Sequence, residues 1–304
     1  MLAALVGEPA QAVVRALMLG AILIVVGTAL FSLRIAPLFD GERLRGAEVR
    51  RHALRTLRLA ALVLTVTLVG RLVQQAAAFA DTPSQWPSTV SPVLTQTTWG
   101  IGWFVQGTAI VAVLLVALGA LRPTKARQWS LGLAALLLAA SPALAGHAIG
   151  APRLTVVAVV MDAVHVTAAG AWLGTLFVIA VAAIPSLGRG SAPLALSVLD
   201  RFSAIALTSA VVVALTGVFA SWLHLESLRD LWTSGYGRTL LVKLATLGGV
   251  AAVGAYNWRI VTPRLRATGD LDLLRRSALI ELVFAVALVA VTAVLVATPL
   301  PGEM

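Results

Sequence analysis

The sequence predicts an all-α, polytopic integral membrane protein, a helical bundle of about eight transmembrane helices. Two observations lead to this prediction. Of the 304 residues, 59% are hydrophobic and only 12% are charged, and the mean hydropathy is +0.94, far above that of a soluble domain. In addition, apolar segments of about 20 residues, each long enough to cross roughly 30 Å of hydrocarbon, recur along the whole chain. We therefore expect a single transmembrane domain over residues 1–304.

Eight segments have the length and hydropathy of a membrane span. The approximate spans are 11–33, 59–80, 100–121, 129–146, 154–184, 203–224, 237–258 and 277–298. The first is unlike a cleaved signal peptide, because no basic segment precedes it and its apolar run is too long. The segment DTPSQWPSTVSPVLTQTTWG, rich in Pro, Ser and Thr, is expected to form a loop outside the membrane.

The basic residues predict the orientation of the bundle. Seventeen of the 23 Lys and Arg residues lie in four segments on one side of the predicted spans: 34–58, 122–128, 185–202 and 259–276. The positive-inside rule assigns such segments to the cytoplasm. Both termini are therefore predicted to be external.

Composition also excludes several function classes. The net charge of +10 comes mainly from short loops between apolar segments, so it is a topology signal. We therefore expect membrane lipid as a partner and no nucleic acid. The chain has no cysteine, so any soft metal must be bound by His or Met. No HExxH sequence or phosphate-binding glycine loop is present, and we expect no enzyme.

Three of the four histidines are predicted to lie toward the external side. His147 follows the fourth span, His165 is in the outer half of the fifth, and His224 ends the sixth. A short turn separates His147 from the helix that carries His165, so these two can approach each other. The histidines therefore mark the outer half of the bundle as the place for a candidate site.

The fifth span carries further polar side chains close to His165. Taking about 100° per residue, Met161, Asp162 and His165 fall at about 0°, 100° and 40° around the helix. Asp162 and His165 are i, i+3 neighbours, and Met161 and His165 are i, i+4 neighbours. A thioether, a carboxylate and an imidazole are thus predicted to face the same part of the bundle, and Ala168, Ala169, Gly170, Ala171 and Gly174 allow another helix to pack closely.

Other charged residues within the spans offer a structural alternative. Arg71 is in the outer half of the second span, Lys243 is in the outer third of the seventh, and Glu281 is near the inner end of the eighth. Charges in membrane helices generally face the protein interior and pair with one another. Arg71 or Lys243 could form an ion pair with Asp162, and the Asp162–His165 pair could then serve only to stabilise the bundle.

The donor set suits copper. Imidazole and thioether bind Cu(I), whereas imidazole and carboxylate bind Cu(II), and zinc would also accept His and Asp. Asp162 could bind the metal directly or orient the His165 ring. The predicted copper ligands are His147, Asp162 and His165, with His224 and Met161 as further candidates and with Arg71, Lys243 and Glu281 as supporting polar residues. Bis-histidine haem b is a competing cofactor, for example with His147 and His224 as axial ligands.

Several motifs in order resemble the copper resistance D (CopD) family of membrane proteins. They are DAVHVTAAGAWLG (162–174), RFSAIAL (201–207), TGVFASWLHL (216–225), YGRTLLVKLATL (236–247), NWRIVTPRL (257–265) and RRSALIELVFAVALVAVTAVLVATPLP (275–301). The resemblance covers 146–301 and is strongest from Arg201 onward, whereas helices within 1–145 are less recognisable. Thr175 stands where the family pattern would place a second glycine.

The resemblance implies an inner-membrane protein of copper transport, homeostasis or tolerance. It also implies a periplasmic copper-binding partner of the CopC type, here expected as a separate chain. Two alternatives are a haem b electron carrier and a copper-binding sensor or assembly partner that does not move copper. With only four methionines, the chain lacks a Met ladder for relaying Cu(I).

Overall fold

The computed structural model describes residues 8–82, 84–119, 124–146, 153–188, 190–225 and 227–301. Within these residues, eight helices are long and apolar enough to cross a membrane, as predicted. They are α1 (Glu8–Arg34), α2 (Arg43–Ala78), α4 (Thr98–Ala117), α5 (Thr124–Ala140), α6 (Thr155–Ser186), α7 (Ala192–His224), α9 (Gly235–Thr268) and α10 (Asp272–Ala297). Two shorter helices, α3 (Trp86–Gln96) and α8 (Asp230–Thr233), precede α4 and α9.

The protein is an all-α polytopic bundle whose helices alternate in direction. One end of the bundle carries the segments that join α1 to α2, α4 to α5, α6 to α7 and α9 to α10; we call it the arginine-rich end, and the other the arginine-poor end. The predicted cytoplasmic side corresponds to the arginine-rich end.

Helix α1 occupies the centre of the bundle. It packs against α2, α5, α6 and α10. The most apolar window of α6 is 67% buried inside the protein, whereas that of α9 is only 11% buried. Helix α9 packs mainly on α10, and its last turn reaches α7. The bundle therefore has an enclosed centre, α1 and α6, and a peripheral helix, α9.

Glycines let α1 and α6 touch backbone to backbone. A Cβ on Gly174 would overlap the carbonyl oxygen of Leu23, and a Cβ on Gly27 would overlap the backbone of Gly174. At Gly170 the obstacle would be the side chain of Val26. The prediction that small residues in this part of the fifth span admit a close helix is confirmed, and the helix is α1. Thr175 is fully buried here and donates to the carbonyl oxygen of Gly27 at 3.5 Å.

Wide π-helical turns interrupt two of the spans. In α6 they cover Gly170–Gly174 and Ile179–Ala183, and in α9 one covers Asn257–Val261. Such turns are rare and often occur where a helix carries a functional group. The α9 turn comes just before Pro263, whose ring removes a helical N–H, so the backbone widens where it loses a hydrogen bond.

Several predicted boundaries were wrong because helices continue past the apolar residues. Helix α2 begins at Arg43 rather than near 59, α7 begins at Ala192 rather than near 203, and α9 continues to Thr268 rather than ending near 258. Arg, Leu and Ala are strong helix formers, so helical hydrogen bonding extends beyond the apolar residues. The segment expected to be a loop contains α3, which begins with a proline in its first turn, where a missing N–H is harmless.

Candidate functional site

A group of polar side chains lies where α6, α7 and α9 approach one another in the arginine-poor half. Helix α6 supplies Asp162 and His165, α7 supplies Thr216, and α9 supplies Tyr236 and Lys243. Thr216 and Tyr236 are buried, and the other three are half-buried. We call these five residues the Asp162 cluster.

The i, i+3 spacing on α6 places Asp162 and His165 toward one common neighbour. Lys243 of α9 lies within electrostatic range of both side chains. Tyr236, two turns earlier on α9, also lies within electrostatic range of Asp162. Two elements distant in the chain therefore place a carboxylate, an imidazole, an ammonium and a phenol in one part of the bundle.

A hydrogen bond to α7 fixes the His165 ring. Its Nδ1 lies 2.8 Å from Oγ1 of Thr216. The Thr216 hydroxyl donates its own hydrogen to the carbonyl oxygen of Val212 at 2.7 Å. With that hydrogen given to Val212, Oγ1 can accept from the ring, and this arrangement places the ring hydrogen on Nδ1.

In that arrangement a neutral His165 ring has its lone pair on Nε2. A nitrogen with a free lone pair is what a metal ion requires, and the Nδ1 hydrogen bond holds the ring in place, as outer partners of metal-binding histidines do. Thr216 fills the orienting role for which the sequence suggested Asp162. The carboxylate of Asp162 is then suited to meet a cation directly.

Of the two cations that the sequence offered, Lys243 lies within electrostatic range of Asp162, and Arg71 bonds elsewhere. Sequence reasoning left both as partners, and the structure places Arg71 in a different group of helices. The Nη1 of Arg71 donates to Oε1 of Gln106 at 3.0 Å, and it lies 3.1 Å from the sulfur of Met18. Lys243 is thus the supporting residue that accompanies the carboxylate.

The remaining predicted ligands have different positions. His224, at the end of α7, packs its ring edge-on against Tyr236, with centroids 6.3 Å apart. Met161 is half-buried on α6, one turn before His165. His147 lies outside the described residues. Within the described ranges no three His, Asp or Glu side chains are grouped closely enough to hold a metal ion, so the ligand set remains a prediction.

A second polar group lies in the arginine-rich half, at the π turn of α9. Glu281 of α10 is only 3% exposed and accepts a hydrogen bond from Nδ2 of Asn257 at 2.9 Å. Ser277, one turn before Glu281, donates to Oδ1 of Asn257. The wide turn thus presents the Asn257 amide to two side chains of α10. Glu281, predicted as a supporting residue, has polar partners but belongs to no group of three or more His, Asp or Glu side chains among the described residues.

Sequence reasoning missed Thr216 and Tyr236. Both occur in motifs quoted above, yet a threonine in a membrane helix usually bonds to its own backbone, and a tyrosine near a helix end usually belongs to the aromatic belt. The available signal was weak: Thr216 and His224 are eight residues apart on α7 and so lie near the same face. Only the packing of α6 on α7 shows that Thr216 meets His165.

An all-α bundle with eight candidate spans among the described residues and charged side chains in its interior defines a multi-pass membrane protein. Two parts of the sequence match known protein families. Residues 196–295 match copper resistance protein D, and residues 4–152 match the copper resistance protein D-like N-terminal domain. The chain therefore belongs to the copper resistance protein D family.

The matched ranges extend the resemblance found by sequence reasoning. The N-terminal helices, which were less recognisable by motif, have a family match of their own. Residues 153–195, which include Asp162 and His165, lie between the two matched ranges. No curated protein and no solved structure matches the chain significantly.

Proposed function

We propose that the protein transports copper across a bacterial inner membrane and takes it up at the Asp162 cluster. The observation that supports this most is the hydrogen bond between His165 Nδ1 and Thr216 Oγ1, because a ring that donates there keeps its Nε2 lone pair for a metal, one helical turn from the carboxylate of Asp162. Imidazole nitrogen with carboxylate oxygen suits Cu(II), and a nearby thioether would extend the set to Cu(I). In this proposal His147 completes the site, and His224 and Met161 contribute to it.

Lys243 would act as the counter-ion of Asp162 when copper is absent. Its ammonium lies near both proposed ligands, so an arriving copper ion replaces one cation by another. Such a replacement avoids leaving a bare carboxylate in the membrane interior, which would be costly. The supporting role predicted for Lys243 is thus that of a counter-ion to Asp162 until copper binds.

The proposed onward route passes the Glu281 group. Asn257 is 14 residues beyond Lys243 on α9, which corresponds to about 21 Å along the helix. Glu281, Asn257 and Ser277 supply oxygens at the second position, in the half nearer the arginine-rich end. The two groups would serve as successive binding positions for the same ion. We propose no catalytic step.

Copper binding by the purified full-length protein tests the uptake site. Measured by equilibrium dialysis with metal analysis, the wild type should bind copper, and His165→Ala and Asp162→Asn should lose it. Thr216→Val should weaken binding by about 10- to 100-fold, the usual cost of losing the partner that orients a histidine ligand. His52→Ala removes a histidine from α2 far from the cluster and should leave binding unchanged.

Two outcomes would contradict this assignment. Unchanged copper stoichiometry in His165→Ala with a lowered thermal midpoint would leave the cluster a purely structural role. A Soret band in the purified protein would instead support the haem b carrier.

Transport itself needs a flux measurement. Vesicles containing the wild type and an enclosed copper-sensitive dye should report uptake that His165→Ala abolishes. Intact binding without flux would favour the sensor or assembly role.

The proposed topology and partner can be tested with single cysteines, because the chain has none of its own. Asp81→Cys, after α2, should react with an impermeant reagent in intact spheroplasts. Gly41→Cys, before α2, should react only after permeabilisation. A periplasmic CopC-like protein loaded with copper should then speed uptake from the Asp81 side, and an equal rate with free copper would argue against such a partner.

A further inference from the structure

Arg71 lies among α1, α2 and α4, in the arginine-poor half and apart from the Asp162 cluster. Its Nη1 donates to Oε1 of Gln106 at 3.0 Å and touches the sulfur of Met18 at 3.1 Å. Its Cζ lies 5.5 Å from the centre of the Trp99 ring. Each of these partners is electrically neutral, so none of them balances the charge of the guanidinium.

A second guanidinium adds to this positive charge. Arg15 of α1 lies within electrostatic range of Arg71. Among the ion pairs formed by described residues, none brings a carboxylate to either arginine. Charged residues in membrane helices normally have a partner of opposite sign, because an unbalanced charge in hydrocarbon is unfavourable. This part of the bundle therefore has an excess of positive charge.

Gln106 contributes a buried donor to the same place. Its side chain is fully buried, and within the described chain its Nε2 has no hydrogen-bond partner. The orientation of the amide is settled by Arg71: a flip would turn the NH2 group toward a guanidinium that can only donate. Buried donors without an acceptor are rare in proteins and call for an explanation.

The two donors are close enough to meet one ligand. With 3.0 Å between Nη1 and Oε1, the short bonds of the amide keep Nε2 within about 5.5 Å of Nη1. An acceptor about 3 Å from each nitrogen would satisfy both. A negatively charged acceptor would in addition offset one of the two arginine charges.

We propose that Arg71 and the Nε2 of Gln106 form a binding site for a small monovalent anion of halide size. The ion would sit among α1, α2 and α4, supply the missing acceptor to Gln106 and offset one of the two positive charges of Arg15 and Arg71. The site shares no residue with the proposed copper ligands.

Thermal unfolding of the copper-free, full-length protein tests this proposal. Chloride replaces gluconate at constant ionic strength, so that general screening of charges stays the same. An anion that binds only the folded protein stabilises it, and the stabilisation increases with the anion concentration. The thermal midpoint should therefore rise with chloride, and bromide should act in the same way. A midpoint that is independent of chloride would overturn the proposal.

Gln106→Glu is the decisive variant. Its carboxylate would accept from Arg71 and supply the negative charge within the chain, so the variant should fold without chloride. It should raise the chloride concentration for half-maximal stabilisation by about tenfold or more, because the carboxylate occupies the donors that the anion needs. Gln128→Glu makes the same change on α5, near the arginine-rich end, and should keep the wild-type response.

An unchanged chloride response in Gln106→Glu would place the anion elsewhere and refute the assignment. A response lost in both variants would do the same, since it would reflect net charge alone. Neither readout involves copper, so this proposal and the copper proposal can fail separately.

Discussion

The crossing of α1 with α6 and the crossing of α9 with α10 are both close, but different atoms make the contact. At the first, Gly27 and Gly174 bring backbone against backbone. At the second, Gly249 of α9 faces the ring of Phe284, whose atoms would lie 2.6 Å from an added Cβ. Backbone cannot move aside without moving a helix, whereas a ring can rotate. The centre of the bundle, where backbones touch, is therefore fixed, and the α9 side, where a ring is the neighbour, is adaptable.

The Asp162 cluster spans this difference. Asp162 and His165 belong to α6, which is held by the fixed crossing, while Tyr236 and Lys243 belong to the peripheral α9. The proposed copper ligands are thus anchored in the rigid part, and the counter-ion is attached to the part that can shift. This division suits a site whose cation must be replaced.

The largest expected effect is at the fixed crossing. Gly174→Ala should lower the free energy of unfolding by about 3 kcal/mol or more, because its Cβ would overlap the Leu23 carbonyl and force α1 and α6 apart. Reversible unfolding in detergent micelles measures this loss. A decrease of less than about 1 kcal/mol would mean that the crossing is not rigid, since small overpacking costs are typical of adaptable sites.

A smaller loss is expected within the polar contact between α9 and α10. Asn257→Ala removes the amide that bonds to Glu281 and Ser277, leaving a buried carboxylate short of a donor. We expect a loss of about 2 kcal/mol, the usual range for a buried group left unpaired. Glu281→Gln in the Asn257→Ala background should recover part of it, because a neutral amide is easier to bury; no recovery would argue against the carboxylate as the cause.

Gly249→Ala should cost about 1 kcal/mol or less, because rotation of Phe284 opens the space and alanine favours the helix. Unfolding of Gly249→Ala and Gly174→Ala under the same conditions gives the ratio of the stability losses at the two crossings. Equal losses would remove the distinction between a fixed centre and an adaptable side.

The smallest effect belongs to the ion pair that ties the end of α9 to α7. Arg266 lies 3.3 Å from Asp200, and both side chains are exposed. Arg266→Gln should change stability by less than about 0.5 kcal/mol and lose even that at high salt. A larger loss would show that α9 is held at its end more firmly than its burial indicates.

The spans and the density of small residues in the fifth span could be read from the sequence because both depend on side-chain type alone. Apolar length predicts a membrane helix, and Gly170 and Gly174 indicate a close neighbour. Which helix would be that neighbour could not be read, since Gly27 is one of several glycines in apolar segments.

From the sequence, only the part of the candidate site that lies on one helix could be predicted. The relation of Asp162 to His165 follows from helical geometry, but the partners of both come from helices distant in the chain. Whether Arg71 or Lys243 meets Asp162 depends on packing, and both arginine and lysine satisfied the same sequence argument. Thr216 could not be predicted from the sequence, because its contact with His165 depends on how α7 packs against α6.

The wide turn at Gly170–Gly174 links the two ends of α6 in a further way. A π turn holds one more residue than an α turn, so it acts as a one-residue insertion carried inside a continuous helix. If the same residues were wound as a regular α-helix, the extra residue would rotate the His165 end by about 100° relative to the Leu176 end. The direction in which His165 points is therefore set by the winding at the α1 crossing as well as by its own hydrogen bonds.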